Sequence, residues 1–342
     1  MKLRENSMKV SYYYIKDEIH GRPITETRHS DLSGLTEEYH PKRLSSKYAY
    51  VFIDIQIENE EKNIEQNEEA LRLKELVDIP LDIIEEIITD QRPRADNYVD
   101  FLLILFKYLT IRSKTPNFEL KEHQVGVLIR DNVVFSIHKP IKSLPIETVF
   151  RRFNKYPMKM AKGGITFLVT SYLDLIIDQM YHVLEYWTEM ITNYELKTIK
   201  EPDESMLYDI LKSRHYLLDL VKILQANREI INSILKSEIF SKEDVPPELD
   251  DHVRHLLDEC DIVRDLLTQL TNMYYASDSA KLNATMKRLT FITSLLLVPS
   301  LIAGIFGMNF FTGQPYQMLI VVVIMVLIIS ILLIYFKRKD FL

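Results

Sequence analysis

The 342-residue sequence carries 27% charged and 47% hydrophobic residues, an average that suits an ordinary soluble chain of one large or two medium domains. A net charge of −7, with Lys and Arg spread along the chain, argues against a nucleic-acid partner, and a single cysteine, Cys260, excludes a disulfide framework within one chain. The eight scattered glycines form no phosphate-cradling loop, so no nucleotide is expected, and no nucleophile paired with a base points to an enzyme.

In chain order, the N-terminus MKLRENSMKVSYYY lacks the apolar core of a secretory signal. Strand-like runs follow at Val10–Ile15, Tyr48–Ile57, Val99–Tyr108, Gln124–Arg130 and Val133–His138, with Asp131-Asn132 as a hairpin turn between the last two. Helical spacing predicts helices over Asn67–Val77, Pro80–Thr89 and Ile146–Asn154, while QRPRADNY (residues 91–98) reads as a break at Pro93. Residues 1–155 are therefore expected to form a mixed α/β domain.

From Gly164 the pattern turns to long helices, Thr166 to about Lys200 and Glu204 to about Phe240, which make residues 156–245 a long-helix pair. After Pro246-Pro247 no proline occurs until Pro299 and no glycine until Gly304. A helix starting there can run unbroken for about 60 residues, roughly 90 Å, as a stalk over residues 246–309.

That stalk ends in a region with no charge or histidine from Leu289 to Phe336. Leu289–Gly307 and Met318–Phe336 are each about 19 residues, enough to span roughly 28 Å, so the C-terminus is expected to cross the bilayer twice. Residues 310–317 form the outer loop and 318–336 the second span. Lys287 and Arg288 before the first span, and the basic tail 337–342 after the second, place both flanks in the cytosol.

Along the stalk, alternate steps of four and three residues from Asp251 pass His255, Asp258, Ile262, Asp265, Gln269, Asn272, Ala276, Ser279, Asn283, Met286, Thr290, Thr293, Leu297, Ser300, Gly304 and Gly307. Most of these are small or polar, even within the membrane. Two readings fit: small residues that let membrane helices approach closely, or a stripe facing water on a symmetry axis. The second requires several copies, because one hairpin cannot enclose a channel.

Gly307-Met308-Asn309 lies between two C-terminal spans, after Pro299 and the run IAGIFGMNF; NATMKRLT (Asn283–Thr290) precedes the membrane and Gln91-Arg92-Pro93 lies in the N-terminal domain. In these features the chain resembles the CorA family of divalent-cation transport channels, over most of its length but little of residues 1–75. The resemblance implies a funnel-shaped homopentamer in the cell membrane, both termini cytoplasmic, with five stalks lining the pore. It implies pore positions Asn283, Met286, Thr293, Leu297, Ser300 and Asn309, with Leu289 or Thr290 on the same side, and Gly307, Met308 and Asn309 as the selectivity filter. It further implies that Mg²⁺ is both transported and regulatory, and that a regulatory ion between neighbouring protomers is held by Asp251 with Glu85 or Glu86.

The filter has its own physical logic. Mg²⁺ dehydrates reluctantly, so a pore that must release it should hold the hydrated ion, and a ring of neutral Asn309 amides does that with less grip than carboxylates. Leu297, Leu289 and Met286 would form apolar rings that close by dewetting.

One feature departs from the family pattern: the loop FFTGQPYQ has no acid after the tripeptide, which weakens cation attraction at the mouth and leaves Zn²⁺, Co²⁺ or Ni²⁺ as alternative cargo. The seven acids between Glu248 and Asp265 suit either a solvated face or divalent regulation. His252 and His255 have no evident partners at zinc spacing. A membrane-tethered sensor or scaffold that conducts nothing is the rival from another class.

Overall fold

The computed structural model describes residues 9–19, 22–31, 49–57, 68–113, 119–140, 146–200, 202–234, 236, 240, 248–307 and 315–338. The chain divides into two compact units, Met1–Asn193 with Tyr208–Thr268, and Tyr194–Leu207 with Gln269–Leu342.

The first unit is built on a seven-stranded sheet of order β2-β1-β3-β7-β6-β5-β4. Its strands are β1 (Lys9–Ile19), β2 (Arg22–Asp31), β3 (Tyr50–Gln56), β4 (Arg94–Asn97), β5 (Leu102–Ser113), β6 (Glu119–Arg130) and β7 (Val133–His138). Every pairing is antiparallel except β3 with β7, which run parallel. The turn at Asp131-Asn132 forms as expected, with Asp131 at φ 53°, a left-handed conformation that aspartate tolerates.

Side chains alternate across the sheet with period two and so build two different cores. On one face Val51, Ile53, Ile55, Phe135 and Ile137 pack with helices α1 (Glu68–Val77) and α2 (Leu81–Ile88) through Leu73, Val77, Ile83, Ile84 and Ile87. On the other, Phe52 meets Phe150 and Phe153 of α3 (Ile146–Lys155) and Tyr172 of α4 (Pro157–Lys200), with ring centroids 5.1 to 6.3 Å apart. At β5 the side chain of Asn227, on α5 (Glu204–Ile234), bonds the Lys107 backbone, donating to its carbonyl at 2.7 Å.

The fold departs from the sequence expectations at several places. The segment after Pro93 does not stay irregular: Arg94–Asn97 pairs with β5 as an edge strand, because the break is spent at Gln91–Pro93. Strand β2 was not predicted at all, since RPITETRHSD lacks the apolar alternation by which a half-buried strand is recognised. Its register against β1, from Lys9 opposite Asp31 to Ile19 opposite Arg22, places it at the sheet edge, where polar sequence is tolerated.

Helix α4 starts earlier than expected, at Pro157, as two helical segments that meet at Gly164 (φ 55°, ψ −140°). Helix α5 stops at Ile234 rather than near Phe240. The stalk is α6 (Glu248–Gly307), 60 residues without a break, and α7 (Pro315–Arg338) follows. Both contain a stretch long and apolar enough to cross a membrane.

Candidate functional site

α6 stays helical for 60 residues, its one internal proline, Pro299, being followed at once by helix again; the ring removes a single donor from the ladder. In the first unit its buried face is Val253, Leu256, Cys260, Val263 and Leu267. Burial first, then the carboxylates of Asp261 and Glu259, push the Cys260 thiol up to about 12, so it offers no thiolate to a metal.

In the second unit, Asn283, Met286, Leu289 and Thr290 stand on a stretch of α6 that is exposed on every side. From Phe291 onward exposure is one-sided. Phe291, Ser294, Leu295, Val298 and Ile302, which share one side of the helix, are half-buried, and the Phe291 ring meets Phe336 of α7 edge-on at 5.3 Å. Thr293, Leu297, Ser300 and Gly304 fall on the exposed side, and a Cβ at Gly304 would meet nothing within 4 Å. Gly307 ends the helix, while Met308 and Asn309 lie outside the described residues.

The two threonines of this stretch bond back to their own helix: Thr290 donates to the Met286 carbonyl at 2.9 Å and Thr293 to the Leu289 carbonyl at 2.7 Å. Their protons are committed to the backbone, so what each hydroxyl turns outward is oxygen lone pairs.

Around the expected regulatory residues the geometry separates the two glutamates. Glu86 is half-buried and accepts a bond from Arg94 at 2.6 Å, and the same guanidinium donates to Asp96 at 2.5 Å. Glu85 is exposed, and its backbone carbonyl ends α2 by accepting from the Thr89 N–H at 2.8 Å and the Thr89 hydroxyl at 2.6 Å. The Gln124 side chain on β6 fixes this helix end, with its NH₂ donating to the carbonyls of Glu86, Ile87 and Thr89, each at 2.8 Å. Its oxygen accepts the Gln91 backbone N–H at 2.9 Å, which anchors the chain where it leaves the helix. Asp251 is exposed in the first turns of α6.

Sequence reading missed the partner of His252. Its Nδ1 lies 2.6 Å from Asp174 on α4, and ligand atoms of Asp174, Asp178 and His252 all lie within 4.8 Å of one another. Arg152 of α3 donates to both carboxylates, to Asp174 closely and to Asp178 at 3.4 Å, so a guanidinium already supplies positive charge here. Burial first, then the Asp174 charge, raise the Asp178 pKa despite Arg152 and His252. Seventy-eight residues separate His252 from Asp174, and no spacing rule links them.

Residues 61–338 match the family model described as CorA-like Mg²⁺ transporter protein. The chain belongs to the CorA family. A curated CorA relative, the cobalt/magnesium transport protein of Thermotoga maritima, is 26% identical over 273 residues, which are 76% of this chain and 76% of that protein. The cobalt/magnesium transport protein CorA of Methanocaldococcus jannaschii is 28% identical over 254 residues, 72% of this chain and 77% of its own. The solved complete structure of the CorA magnesium transporter from M. jannaschii superposes with a TM-score of 0.71 at 23% identity, over 97% of this chain and 98% of that one. The CorA fold of the chain is thus an α/β domain, long helices and two apolar C-terminal helices that fit membrane insertion. CorA membership assigns it to metal-ion transport.

Proposed function

We propose that the chain is one protomer of a homopentameric channel that admits hydrated divalent cations, Mg²⁺ foremost, into the cell and is closed by Mg²⁺ on the cytosolic side. Residues 1–155 and 156–245 form the sensing part, 246–309 the stalk and first span, 310–317 the outer loop, 318–336 the second span and 337–342 the cytosolic tail. Both termini lie in the cytosol.

One observation supports this reading most strongly. The predicted stripe from Asn283 to Gly304 is exposed throughout, whereas the half-buried membrane residues of α6 lie elsewhere on the helix. Copies of the chain can therefore share that face without displacing α7. The chemistry of the face also suits the cargo. A hydrated Mg²⁺ turns only water hydrogens outward, so its path needs acceptors, and Thr290 and Thr293 offer lone pairs because their protons are bonded to the backbone.

At the outer end of the stripe, five Asn309 amides would grip the hydration shell, with Gly307 and Met308 shaping the filter. Met286, Leu289 and Leu297 would close the path by dewetting. Two charges moving inward down about 100 mV gain roughly 4.6 kcal/mol, so no nucleotide is needed. On the cytosolic side a divalent ion between protomers would bind Asp251 and Glu85, with Glu86 held back by Arg94.

Proteoliposomes with an imposed inside-negative potential test this. Mg²⁺ uptake should rise with the potential, and Asn309→Ala should lower it at least tenfold. Co²⁺ belongs in the ion panel, since two relatives are named for cobalt and magnesium. No uptake by the wild type would leave a membrane-tethered sensor and end the channel reading.

A further inference from the structure

Among the described residues, the first unit carries two uncovered surfaces of opposite character. One is an open groove of about 600 Å³ between α4 and α6, lined from Tyr181 to Thr192 on α4, with Glu185 and Glu189 among them, and by His255 and Glu259 on α6. Its floor is apolar and three carboxylates stand along it.

The other is a ridge on α5. Tyr208, Leu211, His215, Leu218 and Lys222 recur at spacings of three and four and so share one face. Tyr208, Leu211 and Leu218 are 64%, 49% and 57% exposed, a large apolar exposure for one face of one helix. The ridge ends in Lys222 and is edged by Lys212 and Arg214, against one acid, Asp219, which pairs with Lys222 at 3.2 Å. The Lys212 ammonium stands 5.8 Å from the ring centroids of both Tyr208 and Tyr216, which holds the charge beside the apolar strip.

Groove and ridge match in three respects. The ridge from Tyr208 to Lys222 runs about 21 Å and the α4 side of the groove from Tyr181 to Thr192 about 17 Å. An apolar strip with basic edges meets an apolar floor with acidic edges. The two surfaces are different patches of one chain, so joining them between copies gives a heterologous contact, the kind that generates rings.

We propose that the α5 ridge of one copy seats in the α4/α6 groove of the next, so that each protomer gives one surface and receives the other around the ring. This deepens the pentamer reading and rests on it. Salt bridges at the edges select the partner, and burial of Tyr208, Leu211 and Leu218 supplies the affinity.

The test uses the full-length protein in detergent, with the buried Cys260 left in place. Leu218→Cys on the ridge and Thr188→Cys in the groove are treated, singly and combined, with a short bis-maleimide. The double variant should give a ladder of linked chains ending at the ring size, and each single variant no linked product. Lys212→Glu with Lys222→Glu should lower the assembled fraction at least tenfold at low salt, and Glu185→Lys with Glu189→Lys in the same chain should restore it. An intact ring with no ladder, or Leu218→Cys linking to itself, overturns this interface while leaving the pentamer standing. A chain that is monomeric by native mass measurement removes both.

Discussion

His138 and Asp54 face each other inside the α/β unit with Nε2 3.0 Å from Oδ1, their side chains 2% and 1% exposed. The pair bridges β7 and β3 where those strands run parallel, Asp54 lying opposite Ser136 and Gln56 opposite His138. The other ring nitrogen, Nδ1, lies 2.7 Å from the Lys139 carbonyl, which can only accept. A proton on each ring nitrogen lets the ring donate to both oxygens, an arrangement that favours its charged form.

This gives a pH prediction with a fixed sign. Burial opposes the charged ring, but the Asp54 charge and hydrogen bond and the Lys139 carbonyl outweigh it and hold the His138 pKa above its ordinary value of 6.5. The pair's contribution is therefore complete below about pH 6.5 and is lost as pH rises through the folded pKa. Urea melts of the purified protein from pH 6 upward should show stability falling over that range. Asp54→Asn should cost about 3 kcal/mol at pH 6 and flatten the slope. An unchanged slope in Asp54→Asn would place the pH dependence elsewhere.

Gly164 is needed for its backbone and for its missing side chain. At φ 55° and ψ −140° a Cβ is strained, and it would stand 2.9 Å from the Tyr50 ring carbon Cζ and hydroxyl. Gly164→Ala should destabilise the protein by about 2 to 3 kcal/mol. Adding Tyr50→Ala removes the clash but not the strain, so thermal melts of the double variant should show no full rescue of the glycine effect.

The two glutamates of α2 should behave differently. Asp251→Lys, which supplies a fixed cation, should blunt the inhibition of flux by Mg²⁺ on the cytosolic side, and Glu85→Gln should shift it in the same direction. Glu86→Gln releases Arg94 from a half-exposed pair, so it should cost at most about 1 kcal/mol and leave inhibition little changed. Equal effects of Glu85→Gln and Glu86→Gln, read from dose–inhibition curves, would contradict this division.

Features that follow local rules were legible in the sequence. The interval between Pro247 and Pro299 announced α6, and strand β7 matches its predicted limits, because a long uninterrupted pattern or an apolar run bounded by turn residues needs no distant information. Strand β2 was illegible because its polar residues carry no burial signal. The Asp174–Asp178–His252 cluster was illegible because α3, α4 and α6 must fold together before Arg152 and His252 reach their partners. The family tripeptide was plain in the sequence, whereas the anchoring of the Gln91 backbone by Gln124, thirty-three residues away, was not.

The central claim is that one face of α6 borders a shared column of water. Cysteines placed singly at Thr293, Leu297 and Ser300, and as controls at Ser294, Leu295 and Val298, test it through block of Mg²⁺ flux by a charged methanethiosulfonate. The native Cys260, buried and with its thiol pushed up to about 12, should stay unmodified. The account predicts block at the first three positions and none at the controls. Equal block on both faces, or none on either, would contradict it.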